Sequence, residues 1–84
     1  MPAKILVIDD EPELLQLMRH ILKASGYEVV VAENGKQALR QVEKELPDLV
    51  LCDVVMPELN GFETVEALRA SPNTRNLQVI MVSA

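Results

Sequence analysis

Ile5-Leu6-Val7-Ile8-Asp9-Asp10-Glu11-Pro12 is the stretch on which the fold turns. Its first four residues are apolar without interruption and rich in β-branched side chains. Such a run reads as a strand buried on both faces. Three acids follow at its carboxyl end, an unusual place for charge. Pro12 then suits the first turn of a helix, where its missing N–H costs nothing. Leu14, Leu15, Met18, Ile21 and Leu22 recur at helical spacing, and Ser25-Gly26 ends that helix, with Gly26 as a left-handed cap.

The same alternation continues outward. Glu28 to Ala32 reads as a second strand, and Asn34-Gly35 as a turn or helix entry. Ala38, Leu39 and Val42 mark the apolar face of a second helix that ends near Leu46-Pro47. Leu49-Val50-Leu51-Cys52 is a third strand closed by Asp53, and Val54 to Leu59 a loop containing Met56-Pro57. A third helix starts near Asn60 and is expected to carry Phe62, Val65 and Leu68 inward. Ser71-Pro72-Asn73 breaks it, and Leu77 to Val82 forms a fourth strand. The order β-α-β-α-β-α-β implies an α/β fold of parallel strands joined by right-handed helical crossovers.

Composition bounds the reading. At 84 residues there is one domain at most. Folding at this size hides only about 60–65% of the unfolded chain's surface, so the core has little margin. The net charge of −5 argues against direct nucleic-acid binding, which needs a basic face. One cysteine, Cys52, excludes an internal disulfide framework. No apolar run is long enough to span a bilayer, and the start lacks a signal-peptide stretch. These features fit a cytoplasmic protein with no membrane partner.

In parallel sheets of this kind, ligands sit at the carboxyl ends of the strands, where the strand order reverses. Asp9, Asp10, Asp53 and Ser83 all fall at such ends. Carboxylates held together repel, so one takes a proton or a cation neutralises them. Oxygen donors suit a hard ion, and Mg²⁺ commonly binds through one or two carboxylates while keeping several waters. A carboxylate is also a competent nucleophile that forms an acyl phosphate. Asp53 is the best candidate because it lies on a different strand from the Asp9-Asp10 pair. The Ser83 hydroxyl could donate to a phosphoryl oxygen.

Three segments together resemble the response-regulator receiver (CheY-like) domains of two-component signalling. They are Ile5 to Pro12, Pro47 to Gly61 with its Asp53-x-x-Met56-Pro57-x-x-x-Gly61 pattern, and Val79 to Ala84. The resemblance runs from Lys4 to Ala84. It implies a flavodoxin-like, doubly wound parallel sheet and gives individual positions roles. Asp53 would accept phosphate from a sensor histidine kinase, a phosphotransfer protein or a small acyl phosphate. Asp10, Asp53 and the backbone carbonyl of Val55 would ligate Mg²⁺, with Asp9 acting through a metal-bound water. Ser83 would be the switch hydroxyl. Such chemistry rests on positioning and charge neutralisation, so the domain is a binding module with at most self-catalysed phosphoryl transfer and autodephosphorylation.

The pattern also departs from that family. The fifth strand, the last two helices and the Lys-Pro pair have no counterpart, so residues 1–84 read as a partial receiver domain with compromised switching. Lys4, Lys23, Lys36 and Lys44 fall in the wrong elements to replace the lysine. Val79 to Val82 would then be an exposed apolar edge open to self-association, and one face of the first helix would lack its neighbour.

Plainer readings stand beside these. Acids stabilise helix N-termini without any catalytic role, and Ser83 can be an ordinary strand-end residue. Cys52 points away from Asp53 and reads as a buried structural thiol. His20 shares the polar side of the first helix with Gln16 and Lys23 and reads as a solvated surface residue. Two other functions remain open: a phosphate-independent interaction module, and a small aspartate-based phosphatase. The phosphatases of haloacid-dehalogenase type show Asp-x-Asp, which Ile8-Asp9-Asp10 does not supply.

Overall fold

The computed structural model describes residues 2–53 and 61–82. Chain order is β1 (Lys4–Ile8), α1 (Pro12–Ala24), β2 (Glu28–Ala32), α2 (Gly35–Glu45), β3 (Leu49–Asp53), α3 (Gly61–Ala70) and β4 (Gln78–Val82). The four strands form one parallel sheet in the order β2-β1-β3-β4. The chain moves from β1 out to β2, then crosses back over β1 to β3. The strand order therefore reverses between β1 and β3.

The uninterrupted apolar run of β1 is explained by its central place. Ile5, Leu6, Val7 and Ile8 are each at most 4% exposed, because helices cover both sheet faces. Strand periodicity sends Leu6 and Ile8 to one face, where Val50, Cys52, Ala38, Val42 and Leu68 join them beneath α2 and α3. Ile5 and Val7 pack on the other face against Leu15 of α1, flanked by Met18, Leu22, Leu49 and Leu51.

Local chemistry sets the element ends. Pro12 opens α1, and Gly26 follows it at φ +97°, the left-handed conformation that favours glycine. Asn34 caps α2 by accepting the Gln37 N–H at 2.9 Å, and Gln37 Oε1 accepts the Glu33 N–H at 3.0 Å. Leu46 closes α2 in the left-handed region at φ 49°. At the amino ends of β1 and β3, the Lys4 N–H donates to Asp48 Oδ2 at 2.8 Å while the Asp48 N–H donates to the Lys4 carbonyl at 2.8 Å. The turn before β4 is braced from α3: Arg69 Nη1 donates to the Arg75 carbonyl at 2.8 Å, and the Thr74 hydroxyl donates to the Leu68 carbonyl.

The inward face of α3 differs from the sequence expectation. Leu68 is buried and Val65 half-buried, but Phe62 is 62% exposed and Thr64 is fully buried. At 100° per residue, Thr64 and Val65 flank Leu68 on one side of the helix, whereas Phe62 lies about 120° away from it. On α1 the apolar set is likewise wider than the buried stripe. Leu15 is buried, while Leu14, Leu17 and Ile21 remain exposed.

Candidate functional site

Parallel pairing of β1 with β3 aligns Ile8 with Cys52. The next residue of each strand is an acid, so Asp9 and Asp53 stand side by side at the carboxyl edge. Asp10 follows directly on Asp9. One carboxylate oxygen from each of Asp9, Asp10 and Asp53 lies within 4.8 Å of the others. The three acids singled out from the sequence therefore do converge, at the point where the strand order reverses.

Their environments differ. Asp10 is exposed, Asp53 is half-buried, and Asp9 is only 7% exposed. The backbone N–H of Asp9 extends the sheet by donating to the Ala32 carbonyl at 3.1 Å, which holds the residue in register between β2 and β3. Its side chain accepts the Glu11 N–H at 3.0 Å. Burial raises the Asp9 pKa above the ordinary carboxylate value. The Glu11 N–H opposes that rise, and the charges of Asp53 and Asp10 add to it. The role of the Glu11 N–H was not foreseen from the sequence. The signal for it was present, since an aspartate readily turns back on the N–H two residues ahead.

The donor set consists of carboxylate oxygens, which fits a hard divalent cation such as Mg²⁺ and not a soft one. Among the described residues these acids form a cluster able to hold such an ion. A cation there would offset the repulsion that raises Asp9. Val55 and Ser83, the other two expected site positions, lie outside the described residues, as do Met56 and Pro57. Cys52 turns to the opposite face from Asp53 as expected, is fully buried, and donates from Sγ to the Asp53 carbonyl at 3.4 Å. His20 is exposed beside Gln16, Arg19 and Lys23 on α1, away from the acids.

Comparison with known proteins agrees with this geometry. The family model described as the response regulator receiver domain matches residues 5–84. The chain is 44% identical over 80 residues to an uncharacterised 14.6 kDa protein of Leptolyngbya boryana, covering 95% of this chain and 61% of that one. It is 45% identical over 69 residues to the alkaline phosphatase synthesis transcriptional regulatory protein PhoP of Bacillus subtilis, covering 82% of this chain and 29% of that protein. The chain thus spans less than two thirds of either relative. Among solved structures, the response regulator TrrA of Thermotoga maritima in complex with Mg²⁺-BeF superposes with a TM-score of 0.90 at 36% identity, covering 100% of this chain and 70% of that one.

Proposed function

The chain belongs to the response regulator receiver domain family, and from that premise we propose that it is a phosphoacceptor whose Asp53 is phosphorylated in a Mg²⁺-dependent reaction. Receiver domains are signalling modules of two-component systems. The phosphodonor proposed here is a sensor histidine kinase or a phosphotransfer protein. In the transfer, an Asp53 carboxylate oxygen forms the new bond to phosphorus, and the phosphorus–nitrogen bond to the donor imidazole breaks. The modified state then alters which partner the domain binds.

The observation that carries this reading is the convergence of Asp9, Asp10 and Asp53 within 4.8 Å at the carboxyl edge of β1 and β3. Asp10 and Asp53 would hold the ion, joined by the Val55 carbonyl, and Asp9 would act through a bound water. The ion would supply charge neutralisation between the carboxylates and the incoming phosphoryl group. Ser83 would donate to the phosphoryl oxygen. The complex of TrrA with Mg²⁺-BeF supports the choice of ion by analogy. No helix among the described residues is long and apolar enough to cross a membrane, and the free thiol of Cys52 suits a reducing compartment. We place the protein in the cytoplasm on those grounds.

The test is an amide proton–nitrogen spectrum recorded without and with Mg²⁺ plus beryllofluoride, paired with intact-mass detection of phosphoryl addition from a small acyl phosphate. Shifts centred on Asp9, Asp10 and Asp53, with addition lost in Asp53→Asn, are expected. A spectrum indifferent to both additions, with no phosphoryl gain, would overturn the proposal. Multiple-turnover hydrolysis of a phosphomonoester would instead favour the phosphatase reading.

A further inference from the structure

We propose that the β2 edge, rimmed by cationic side chains of α1 and α2, takes an acidic extended segment of a partner protein as an added strand.

Among the described residues, β2 has a strand neighbour on one side only, β1. The flavodoxin-like strand order 2-1-3-4-5 keeps β2 outermost in the complete sheet as well. Alternate residues of a strand turn their N–H and C=O groups to opposite sides. The Glu28 N–H donates to the Ala3 carbonyl at 3.0 Å, and the Ala32 carbonyl accepts the Asp9 N–H at 3.1 Å. Glu28, Val30 and Ala32 therefore bond toward β1, and Val29 and Val31 turn their backbone groups outward. The edge is closed on either side of them. The Tyr27 N–H donates to the Leu22 carbonyl at 3.1 Å, and the Glu33 N–H donates to Gln37 Oε1 at 3.0 Å. What is left is a short docking edge on Val29 and Val31, the template on which another strand pairs.

The helices give that edge its charge. On α2, Leu39 and Glu43 lie on the flank that meets α3. At 100° per residue, Gln37, Gln41 and Lys44 occupy the opposite flank, toward the β2 edge, with Arg40 beside them. On α1, the right-handed crossover turns Arg19 and Lys23 to the β2 side of the buried Leu15, and Leu14, Leu17 and Ile21 to the other side. Four of the eight lysines and arginines thus line one edge of a chain whose net charge is −5. The acids of the two helices lie elsewhere: Glu13 in the first turn of α1, Glu43 against α3, and Glu45 bonded to Lys4 at 3.3 Å. Glu28 and Glu33 stand at the two ends of the edge, so acidic side chains of the segment fall between them.

This combination selects the occupant. A second copy would set one cationic rim against another. A phosphate backbone would meet the cations but has no N–H to offer the outward carbonyls of Val29 and Val31. An acidic strand satisfies both, since its backbone supplies affinity and its side chains supply specificity.

The experiment titrates the chain with the peptide Glu-Thr-Thr-Glu-Glu-Thr-Thr-Glu, whose glutamates point to both faces of a strand. Amide shifts centred on Val29 and Val31, with slowed exchange of their N–H groups, are expected. Binding should weaken at least about tenfold in the double variant Lys23→Glu, Arg40→Glu. It should vanish when lysine replaces glutamate in the peptide, a readout that needs no variant. It should be unchanged by Mg²⁺ and in Asp53→Asn, so this proposal and the phosphoacceptor reading fail independently. No binding, or binding that leaves Val29 and Val31 unperturbed, would overturn the proposal. So would equal binding of the lysine peptide, or undiminished binding by the folded double variant. Duplex DNA or anionic vesicles that shift the Lys23 and Arg40 amides where the peptide does not would assign the rim to phosphate and overturn it too.

Discussion

The Asp9 carboxylate accepts the Glu11 N–H at 3.0 Å, so the acid that ends the central strand also fixes the entry to α1. This bond orients a side chain whose charge is otherwise disfavoured by burial and by Asp53 and Asp10. The site is thus held in shape by the backbone while its charges repel.

A pH dependence follows. The folded-state pKa of Asp9 is raised above 3.8. Between the unfolded and folded values the folded chain binds more protons, so metal-free stability falls as pH rises through that window. The penalty is complete above the folded pKa. Urea unfolding across acid to neutral pH should show this slope, and Asp9→Asn should flatten it while raising metal-free stability at neutral pH. Mg²⁺ at ten times its dissociation constant should stabilise the unmodified chain by about 1.4 kcal/mol and Asp9→Asn by less. A slope unchanged by Asp9→Asn would refute the assignment.

Cys52 should be inert in the folded chain. Burial first, then the charges of Asp53 and Asp9, push its thiol up to about 11 from 9.0. The thiolate fraction near pH 8 is then about a hundredfold below that of a thiol at the usual value. Alkylation by iodoacetamide should proceed only as fast as the chain opens, and denaturant should restore the ordinary rate. The linkage sign is also fixed: the unfolded thiol ionises first, so stability falls between pH 9.0 and about 11. Cys52→Ala should remove that part of the fall. Rapid labelling of the native chain would show the site to be open.

The cap on α2 is separable from the acids. The Asn34 side chain satisfies the Gln37 N–H at 2.9 Å. Asn34→Ala should cost about 1 kcal/mol, seen as a thermal midpoint lowered by roughly 4–8 °C for a domain of this size. Gln37→Ala should cost less, because the bond it loses serves the exposed Glu33 N–H. Equal losses would mean that the two bonds act as one unit.

The sheet and the acidic cluster were legible because both follow from strand-level periodicity. An unbroken apolar run fits a strand buried on both faces, and acids directly after it fall at that strand's carboxyl end, as Ile5 to Asp10 do. Helix phase was less legible. Phe62 is the largest apolar residue of α3, and hydrophobicity alone sends it inward. Leu68 sets the helix phase instead, and the inward position goes to Thr64. On α1, Leu14, Leu17 and Ile21 widen the apolar set beyond what one sheet face covers. The raised pKa of Asp9 depends on burial between strands that are distant in sequence, which no local pattern encodes.

Leu46 illustrates the same limit in backbone form and yields the last prediction. Leu46-Pro47 signals a helix end, but nothing in a leucine announces a left-handed conformation. The structure places Leu46 at φ 49° with its N–H donating to the Val42 carbonyl at 3.0 Å. A side chain in that region clashes with its own backbone at a cost of about 1–2 kcal/mol, a cost glycine does not carry. Leu46 is 73% exposed, so its removal forfeits little burial. Part of the gain is lost to the greater freedom of glycine in the unfolded chain. Leu46→Gly should therefore stabilise the fold by about 1 kcal/mol, with the change confined to α2 and the turn into β3 in an amide spectrum. Leu46→Ala, which keeps the Cβ, should gain nothing. Destabilisation by the glycine variant would mean that the Leu46 side chain makes a contact worth more than the strain it imposes.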